Sequence, residues 1–127
     1  MTNDSILDPN NHLLKKIDHY SQLTKNVEGW FSKLSIYLWD ILLQYQLDTD
    51  IKGNLIEIGL WHGKSAAMLL LHQRPQEKLI VVDLEFREPL RKNLSVWIEE
   101  LSKKIEIIHG SSSTKLTPSF VSQNYRS

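Results

Sequence analysis

The stretch that decides the fold is LIEIGLWHGKSAAMLLL, residues 55–71, in which an apolar segment runs into two glycines and then into a leucine-rich segment. Two further segments rich in Ile, Val and Leu follow, KLIVVDL at 78–84 and KIEIIHG at 104–110. Short, continuous apolar runs of this kind are typical of strands buried on both faces of a parallel sheet. The sequence therefore predicts three strands, the first of them at 54–59.

The segments between these strands have helical character. KSAAMLLLHQR follows the first strand and stops before Pro75, and EPLRKNLSVWIEELS follows the second. Pro89 suits a first helical turn, and the apolar residues of this segment keep helical spacing at Leu90, Leu94, Trp97 and Leu101. The alternation of strand and helix predicts an α/β fold with a Rossmann-like, doubly wound parallel sheet and right-handed crossovers.

Residues upstream of the first strand predict a helical lead-in. From 26 to 47 the apolar residues recur at spacings of three and four, which predicts a long amphipathic helix with one apolar stripe, formed by Trp30, Leu34, Leu38, Ile41 and Tyr45. Trp39 and Tyr37 lie off this stripe and indicate a second buried side with ordinary core packing. A shorter helix is expected to end near Tyr20. We therefore divide the chain into a lead-in over 1–52 and the N-terminal half of a Rossmann-like domain over 53–127, which we expect to be truncated.

Composition excludes several classes of function. The chain of 127 residues is 41% hydrophobic and 24% charged, which fits one soluble domain. Fifteen basic residues balance fifteen acidic ones, so neither a nucleic acid nor an anionic membrane surface is an expected partner. No apolar run approaches the ~20 residues that span a bilayer. Cysteine is absent and the start MTNDSILDPNN lacks signal-peptide character, so we expect a cytoplasmic protein.

Metal chemistry is not predicted either. The five histidines show no ligand spacing, such as two on one helical face beside a glutamate, and we expect each to serve packing or the surface.

Gly59 and Gly63 lie in the first strand-to-helix turn, where such sheets approach their ligands. A glycine adopts positive φ and lets backbone N–H groups approach a bound molecule. The pattern here is E-x-G-x-x-x-G-x-S, with Trp61 where a dinucleotide loop has its middle glycine. A P-loop is also poorly matched, because Ile58 stands where its first glycine is required. The turn predicts a ligand loop without a pyrophosphate site.

Two carboxylates end the first two predicted strands. Glu57 would repel a phosphate and favour a positively charged or amino-bearing ligand, and Asp83 is placed to accept hydrogen bonds from both hydroxyls of a ribose. Together they predict a nucleoside ligand. The plain alternative is that both are solvated strand-end carboxylates, that the glycines only shape a turn, and that Ser65 caps the next helix.

At these positions the sequence resembles a known family. LIEIGLWHGKSA, LIVVDLE and IEIIHGSSS are similar to the first three motifs of class I S-adenosylmethionine-dependent methyltransferases, particularly the branch with the macrocin O-methyltransferase-like and cephalosporin hydroxylase-like proteins. The resemblance covers residues 54–113. It implies S-adenosylmethionine as the cofactor and a set of cofactor-binding residues: Glu57, Gly59, Leu60, Trp61, His62, Gly63, Ser65, Asp83, Leu84, Gly110 and Ser111.

The resemblance also implies a role for each group of residues. The loop 57–63 would lie beside the methionine moiety, and Asp83 would bind the ribose hydroxyls. Leu84 or Glu85 would border the adenine, with Gly110 and Ser111 at its edge. Family members often have an aspartate where this chain has Ser111, so adenine recognition departs from the family pattern.

The function implied is methyl transfer to a small-molecule acceptor that the sequence does not identify, and no residue is assigned as a catalytic base. A complete domain of this family has seven strands, so we expect the 127 residues alone to be inactive and to form the cofactor-binding half of a longer enzyme. The alternative is a non-catalytic, truncated Rossmann-like module that serves association or nucleoside binding. Its exposed sheet edge, at the first strand, and its aromatic N-terminal helix would serve association, with homo-oligomers forming through the sheet edge. An NAD-binding fragment is a weaker third reading, which Trp61 opposes.

Overall fold

The structure is a computed structural model that describes residues 12–117 and residue 120, with side chains described from Lys15 onward. The elements alternate between helices and strands after two N-terminal helices. Their bounds are α1 His12–Leu23, α2 Lys33–Asp48, β1 Leu55–Ile58, α3 Lys64–Leu71, β2 Leu79–Asp83, α4 Glu88–Leu101, β3 Ile105–His109 and α5 Ser112–Lys115.

The three strands form one parallel sheet in the order β1-β2-β3. The register pairs Leu55 with Leu79 and Leu79 in turn with Ile105. All three predicted strands are confirmed within one residue at either end, and with them the α/β class and the Rossmann-like parallel sheet. Pro89 occupies the first turn of α4, as its fixed φ favours.

Burial differs between the strands, and here one prediction was wrong. The four residues from Leu79 to Val82 in the central strand β2 are fully buried, as expected. However, β3 is exposed or half-buried throughout, and Ile107 leaves 46% of its surface accessible. Ile58 at the end of β1 is also exposed. In the part of the chain that the structure describes, β1 and β3 are the two edges of the sheet, so only β2 is buried on both faces.

One hydrophobic core joins the sheet to helices α3 and α4. Alternate residues of β1 and β2 contribute to it together with apolar residues of both crossover helices, namely Leu55, Leu79, Val81, Met68, Leu70, Leu90, Leu94 and Trp97. Tyr20 of α1 and Leu43 of α2 belong to the same cluster. The lead-in therefore packs directly on α3, and the division of the chain at residue 52 is a change of secondary structure within one core.

The main apolar stripe of the lead-in helix does not face the core, whereas the second side predicted from Trp39 is packed against it. Helix α2 begins at Lys33 rather than near residue 26, because Ser32 caps it by accepting a 3.1 Å hydrogen bond from the amide of Ser35. The stripe predicted to face the core points outward, with Trp30, Leu34, Leu38, Ile41 and Tyr45 all exposed. The opposite face is the buried one, and it carries Ile36, Trp39, Asp40 and Leu43.

Polar side chains just after α3 hold α2 in place. His72, at the C-terminal end of α3, contacts Asp40 of α2 through Nε2 and Oδ1 at 2.8 Å, and both side chains are fully buried. Arg74 donates hydrogen bonds to backbone oxygens at the end of α2 and to the carboxylate of Glu77. These contacts fix the position of α2 over the region that precedes β2.

Within the described residues, no helix is long and apolar enough to cross a membrane.

Candidate functional site

A cleft of about 600 Å³ opens at the carboxyl ends of β1 and β2, within the size range of small-molecule sites. This is the edge at which α/β sheets bind ligands. Most of its lining comes from the β1–α3 loop and from the segment after β2: Trp30, Gly59, Leu60, Trp61, Ser65, Asp83, Leu84, Glu85 and Arg87. Six of the predicted cofactor-binding residues therefore lie together around one cavity.

The glycines of the loop have two different tasks. Gly59 has φ +74°, and a methyl group added there would meet no atom within 4 Å, so its backbone conformation is what favours glycine. Gly63 has φ +95° and is the N-cap of α3. A Cβ at Gly63 would lie 3.1 Å from both Leu90 and Trp97. Gly63 therefore allows α3 and α4 to approach each other and faces the core rather than the cleft.

Trp61 stands where a dinucleotide loop has glycine, and its backbone keeps a glycine-like conformation with φ +53°. Its half-exposed indole stacks on His62 at 4.5 Å between ring centroids. The guanidinium of Arg87 lies 4.7 Å from the indole centroid, in the range of a cation–π contact. A bulky residue in the left-handed region is strained, and such strain concentrates at functional loops.

The strain at Trp61 leads to a prediction. Because only glycine adopts φ near +53° without cost, we expect the Trp61→Gly variant to be more stable than Trp61→Ala by about 1 kcal/mol. Urea unfolding of the two variants measures this difference. At Val96, an exposed site within helix α4, the same comparison should reverse, with alanine better than glycine by about 1 kcal/mol. Equal unfolding free energies for the Trp61→Gly and Trp61→Ala variants would show that the backbone at position 61 is not strained.

Asp83 ends β2 and lies at the centre of the site. Its Oδ2 accepts a 2.8 Å hydrogen bond from the amide of Leu60, and its Oδ1 accepts a 3.3 Å hydrogen bond from the amide of Glu85. The carboxylate thus holds the β1–α3 loop against the end of β2. A carboxylate offers about four lone-pair positions, so acceptor capacity remains for a ligand in the cleft.

A smaller hollow of about 190 Å³ continues on the other side of Asp83, over the ends of all three strands. Gly110 and Ser111 line it, together with Ile58, Gly59, Val82, Asp83, Leu84 and Ser112. Gly59, Asp83 and Leu84 border both cavities. An elongated ligand that spans the two would therefore pass Gly59, Asp83 and Leu84.

Glu57 is buried behind the cleft instead of lining it. The hydroxyl of Ser65 donates a hydrogen bond to Oε1 of Glu57, while Oε2 has no hydrogen-bond partner in the described structure. Burial raises the pKa of Glu57 to about 7, and the hydrogen bond from Ser65 opposes this shift. Ser65 does not cap helix α3, because it lies past the N-cap and its side chain turns to Glu57.

His62 contributes to the loop structure through its backbone carbonyl. Its carbonyl oxygen accepts a 3.0 Å hydrogen bond from the side-chain amide of Asn93, which ties the loop to α4. The imidazole is buried and borders two other cavities, one of about 50 Å³ and one of about 620 Å³, the second as large as the cleft. His62 and Gly63 are therefore not brought to the cavity that holds the other loop residues.

Sequence reasoning missed two residues of the cleft, Trp30 and Arg87. Trp30 is 93% exposed in the segment before α2 and lines the cleft, although its spacing predicted a place in the core. The preceding residue, Gly29, holds this segment over the loop by accepting a 3.1 Å hydrogen bond from Nζ of Lys64. The available signal was the sequence VEGWFS, in which a glycine and a helix-capping serine exclude Trp30 from the helix.

Among the described residues, no group of three or more His, Asp or Glu side chains is arranged to hold a metal ion. No model of a protein family, no curated protein and no solved structure matches the chain. The class is accordingly defined by the geometry alone. It is an α/β protein with a Rossmann-like parallel sheet and a cleft at the carboxyl ends of its strands.

Proposed function

We propose that this chain binds S-adenosylmethionine in the cleft and forms the cofactor-binding part of a methyltransferase of the class I type. The observation that carries the proposal is the position of Asp83. It ends the second strand of a parallel sheet, borders both cavities and contacts the loop that begins at Gly59. In α/β sheets a carboxylate at this position is suited to the two hydroxyls of a ribose.

The surroundings of Asp83 fit the rest of the ligand. The adenine would lie toward the smaller hollow bordered by Leu84, Gly110 and Ser111, and the methionine moiety toward the larger cleft. Backbone groups made accessible at Gly59 would contact the amino acid part. The absence of a middle glycine is consistent with a ligand that lacks a pyrophosphate.

The larger cleft also suits a cation. The indoles of Trp30 and Trp61 line it, and the face of an indole attracts positive charge. Arg87 already makes such a contact with Trp61 in the structure. When bound, S-adenosylmethionine supplies an electrophilic methyl group on its sulfonium. This chain's residues would bind and orient that group, and none of them is assigned as a catalytic base.

Calorimetric titration with S-adenosylhomocysteine tests the proposal. We expect micromolar affinity and at least a tenfold loss in Asp83→Ala, because a hydrogen bond to a charged group contributes about 1.5–3 kcal/mol. Glu99→Ala is the matched control, since Glu99 is an exposed carboxylate on α4 and does not line the cleft. The control should bind within about threefold of the parent chain.

The other outcomes identify the alternatives. No binding of S-adenosylhomocysteine or S-adenosylmethionine, together with stable oligomers, would favour the non-catalytic association module, for which the exposed edge of β1 offers one surface. Displacement of S-adenosylhomocysteine by NAD at similar concentration would favour a nicotinamide-cofactor site. Equal losses in the Asp83 and Glu99 variants would contradict the role assigned to Asp83.

A further inference from the structure

Helix α2 presents an apolar face to solvent that the cleft does not use. We call it the outer stripe. Its six side chains are each between 40% and 69% exposed, and they are Leu34, Tyr37, Leu38, Ile41, Leu42 and Tyr45. None of them lines a described cavity at the ends of the strands. Soluble monomers rarely leave a contiguous apolar patch of this kind uncovered unless it contacts a partner.

The outer stripe carries no charge along its length. Between Lys33 and Asp48 the helix has one charged residue, Asp40, and that side chain is buried against His72 on the opposite face. A charged partner would find no complementary charge in the middle of the stripe. An apolar surface of the same kind is the partner that suits it.

The spacing of the stripe is symmetrical along the helix. Leu34, Leu38, Ile41 and Tyr45 follow one another at intervals of four, three and four residues, which is the seam spacing of a coiled coil. The spacing is the same when the helix is read in reverse. A second α2 running antiparallel would therefore place Leu34 opposite Tyr45, Leu38 opposite Ile41 and Tyr37 opposite Leu42, so that each tyrosine meets a leucine.

We propose that the outer stripe is the interface of a homodimer in which two α2 helices pack antiparallel about a two-fold axis. A two-fold interface requires a self-complementary surface, and the symmetrical spacing supplies one. Charge supports the same orientation. Lys33 and Asp48 are exposed at opposite ends of α2, so antiparallel packing brings the lysine of each copy toward the aspartate of the other.

The area is sufficient for a weak, specific dimer. The exposed parts of the six side chains amount to about 600 Å² per copy, or about 1,200 Å² in total, at the lower end of stable protein interfaces. Association costs translational, rotational and side-chain entropy, which offsets much of the gain from burying this area. We therefore expect a dissociation constant on the order of 10 µM.

Sedimentation velocity of the 127-residue chain between about 1 and about 100 µM tests the dimer. We expect a monomer–dimer equilibrium that is weakened about 100-fold or more by Leu38→Glu, since the two-fold axis buries two unpaired charges. Val96→Glu is the control, because Val96 is an equally exposed apolar residue on α4. It should dimerise like the parent chain. Far-UV circular dichroism and urea unfolding should show that both variants remain folded.

Disulfide trapping tests the orientation, because the chain has no cysteine of its own. Mixing Leu34→Cys with Tyr45→Cys should give a cross-linked heterodimer, whereas Leu34→Cys alone should not cross-link, since a disulfide needs Cα atoms within about 7 Å. The reverse pattern would overturn the antiparallel arrangement. A strictly monomeric chain, or a dimer that Leu38→Glu leaves intact, would overturn the interface itself, the latter in favour of the sheet edge.

The proposed dimer and the proposed ligand site can be tested independently of each other. The outer stripe lies outside the cleft, so Leu38→Glu should bind S-adenosylhomocysteine as the parent chain does. Loss of dimerisation with unchanged ligand binding supports the interface independently of the proposed cofactor.

Discussion

Replacing Asp40 with alanine is expected to lower the free energy of unfolding by about 3 kcal/mol, the upper end of the cost of leaving a buried polar group without its hydrogen-bond partner. Asp40 and His72 are both completely buried, and 2.8 Å separates Oδ1 from Nε2. Without the carboxylate, the imidazole would keep a polar nitrogen in the core with its described partner removed. This loss is large compared with the 5–15 kcal/mol that stabilise a typical domain.

The contacts of the His72 imidazole show how many protons the Asp40–His72 pair must share. The Nδ1 atom of His72 lies 2.9 Å from the carbonyl oxygen of Met68. A carbonyl oxygen only accepts, so Nδ1 carries a proton. The contact between Nε2 and Asp40 then needs one further proton, on either the ring or the carboxyl group. Asp40 is therefore one partner of a hydrogen bond that needs a shared proton, so its role is more than filling space in the core.

Graded variants separate the pair interaction from packing. Asp40→Asn keeps an acceptor oxygen for His72 and should cost about 1–2 kcal/mol. The double variant Asp40→Leu/His72→Leu should be more stable than either single leucine variant, because each single variant removes one partner of this polar contact and leaves the other buried, whereas the double variant removes both. Asp18→Ala on α1, an exposed carboxylate, should change stability by less than about 0.5 kcal/mol. Urea unfolding of these five variants and of the parent chain measures the differences. Additive effects of the two leucine substitutions would contradict the coupling.

The same pair explains why the orientation of α2 could not be predicted from periodicity. The helix is apolar on two sides, with Ile36, Trp39 and Leu43 inside and the outer stripe outside. An aspartate in the middle of a helix normally marks the solvent face. Here Asp40 is buried because its carboxyl group contacts the imidazole of His72, 32 residues later in the sequence. A contact between positions so distant in sequence leaves no periodic signal.

The strands, by contrast, were predictable because their signal is local. Runs such as LIVVD combine β-branched residues with flanking turn residues, and β2 has these bounds in the structure. Burial of β3 was not predictable from its composition, since IEIIH resembles a central strand but lies at an edge. Whether a strand is covered depends on its neighbours, which the strand's own residues do not specify.

The candidate site was predicted in part. The sequence placed Gly59 and Asp83 in one ligand-binding region from their positions after β1 and at the end of β2, and both line the cleft. It did not predict that Ser65 would screen Glu57 from the cleft or that Trp30 would border it. These two features depend on how the first turn of α3 and the segment before α2 approach the loop, which is a property of the assembled fold.

Glu57 gives the second large effect, a pH dependence of stability. Burial raises its pKa from 4.5 to about 7 in the folded chain, whereas in the unfolded chain the carboxyl group is solvated and titrates near its ordinary value. Between these two values the folded state holds a proton that the unfolded state has released. The contribution of Glu57 to the free energy of unfolding is therefore fully present below pH 4.5. It falls by about 3 kcal/mol in total as the pH rises to about 7.

Glu57→Gln should remove this fall. Glutamine keeps an oxygen that can accept the hydrogen bond from Ser65 and carries no charge, so the difference in unfolding free energy between variant and parent should grow in favour of glutamine from pH 4.5 to 7 and then level off. Subtracting the two urea-unfolding profiles cancels the titration of all other groups. Glu100→Gln, an exposed carboxylate on α4, should give a flat difference. A flat difference for Glu57→Gln as well would show that the carboxyl group ionises in the fold as readily as in water.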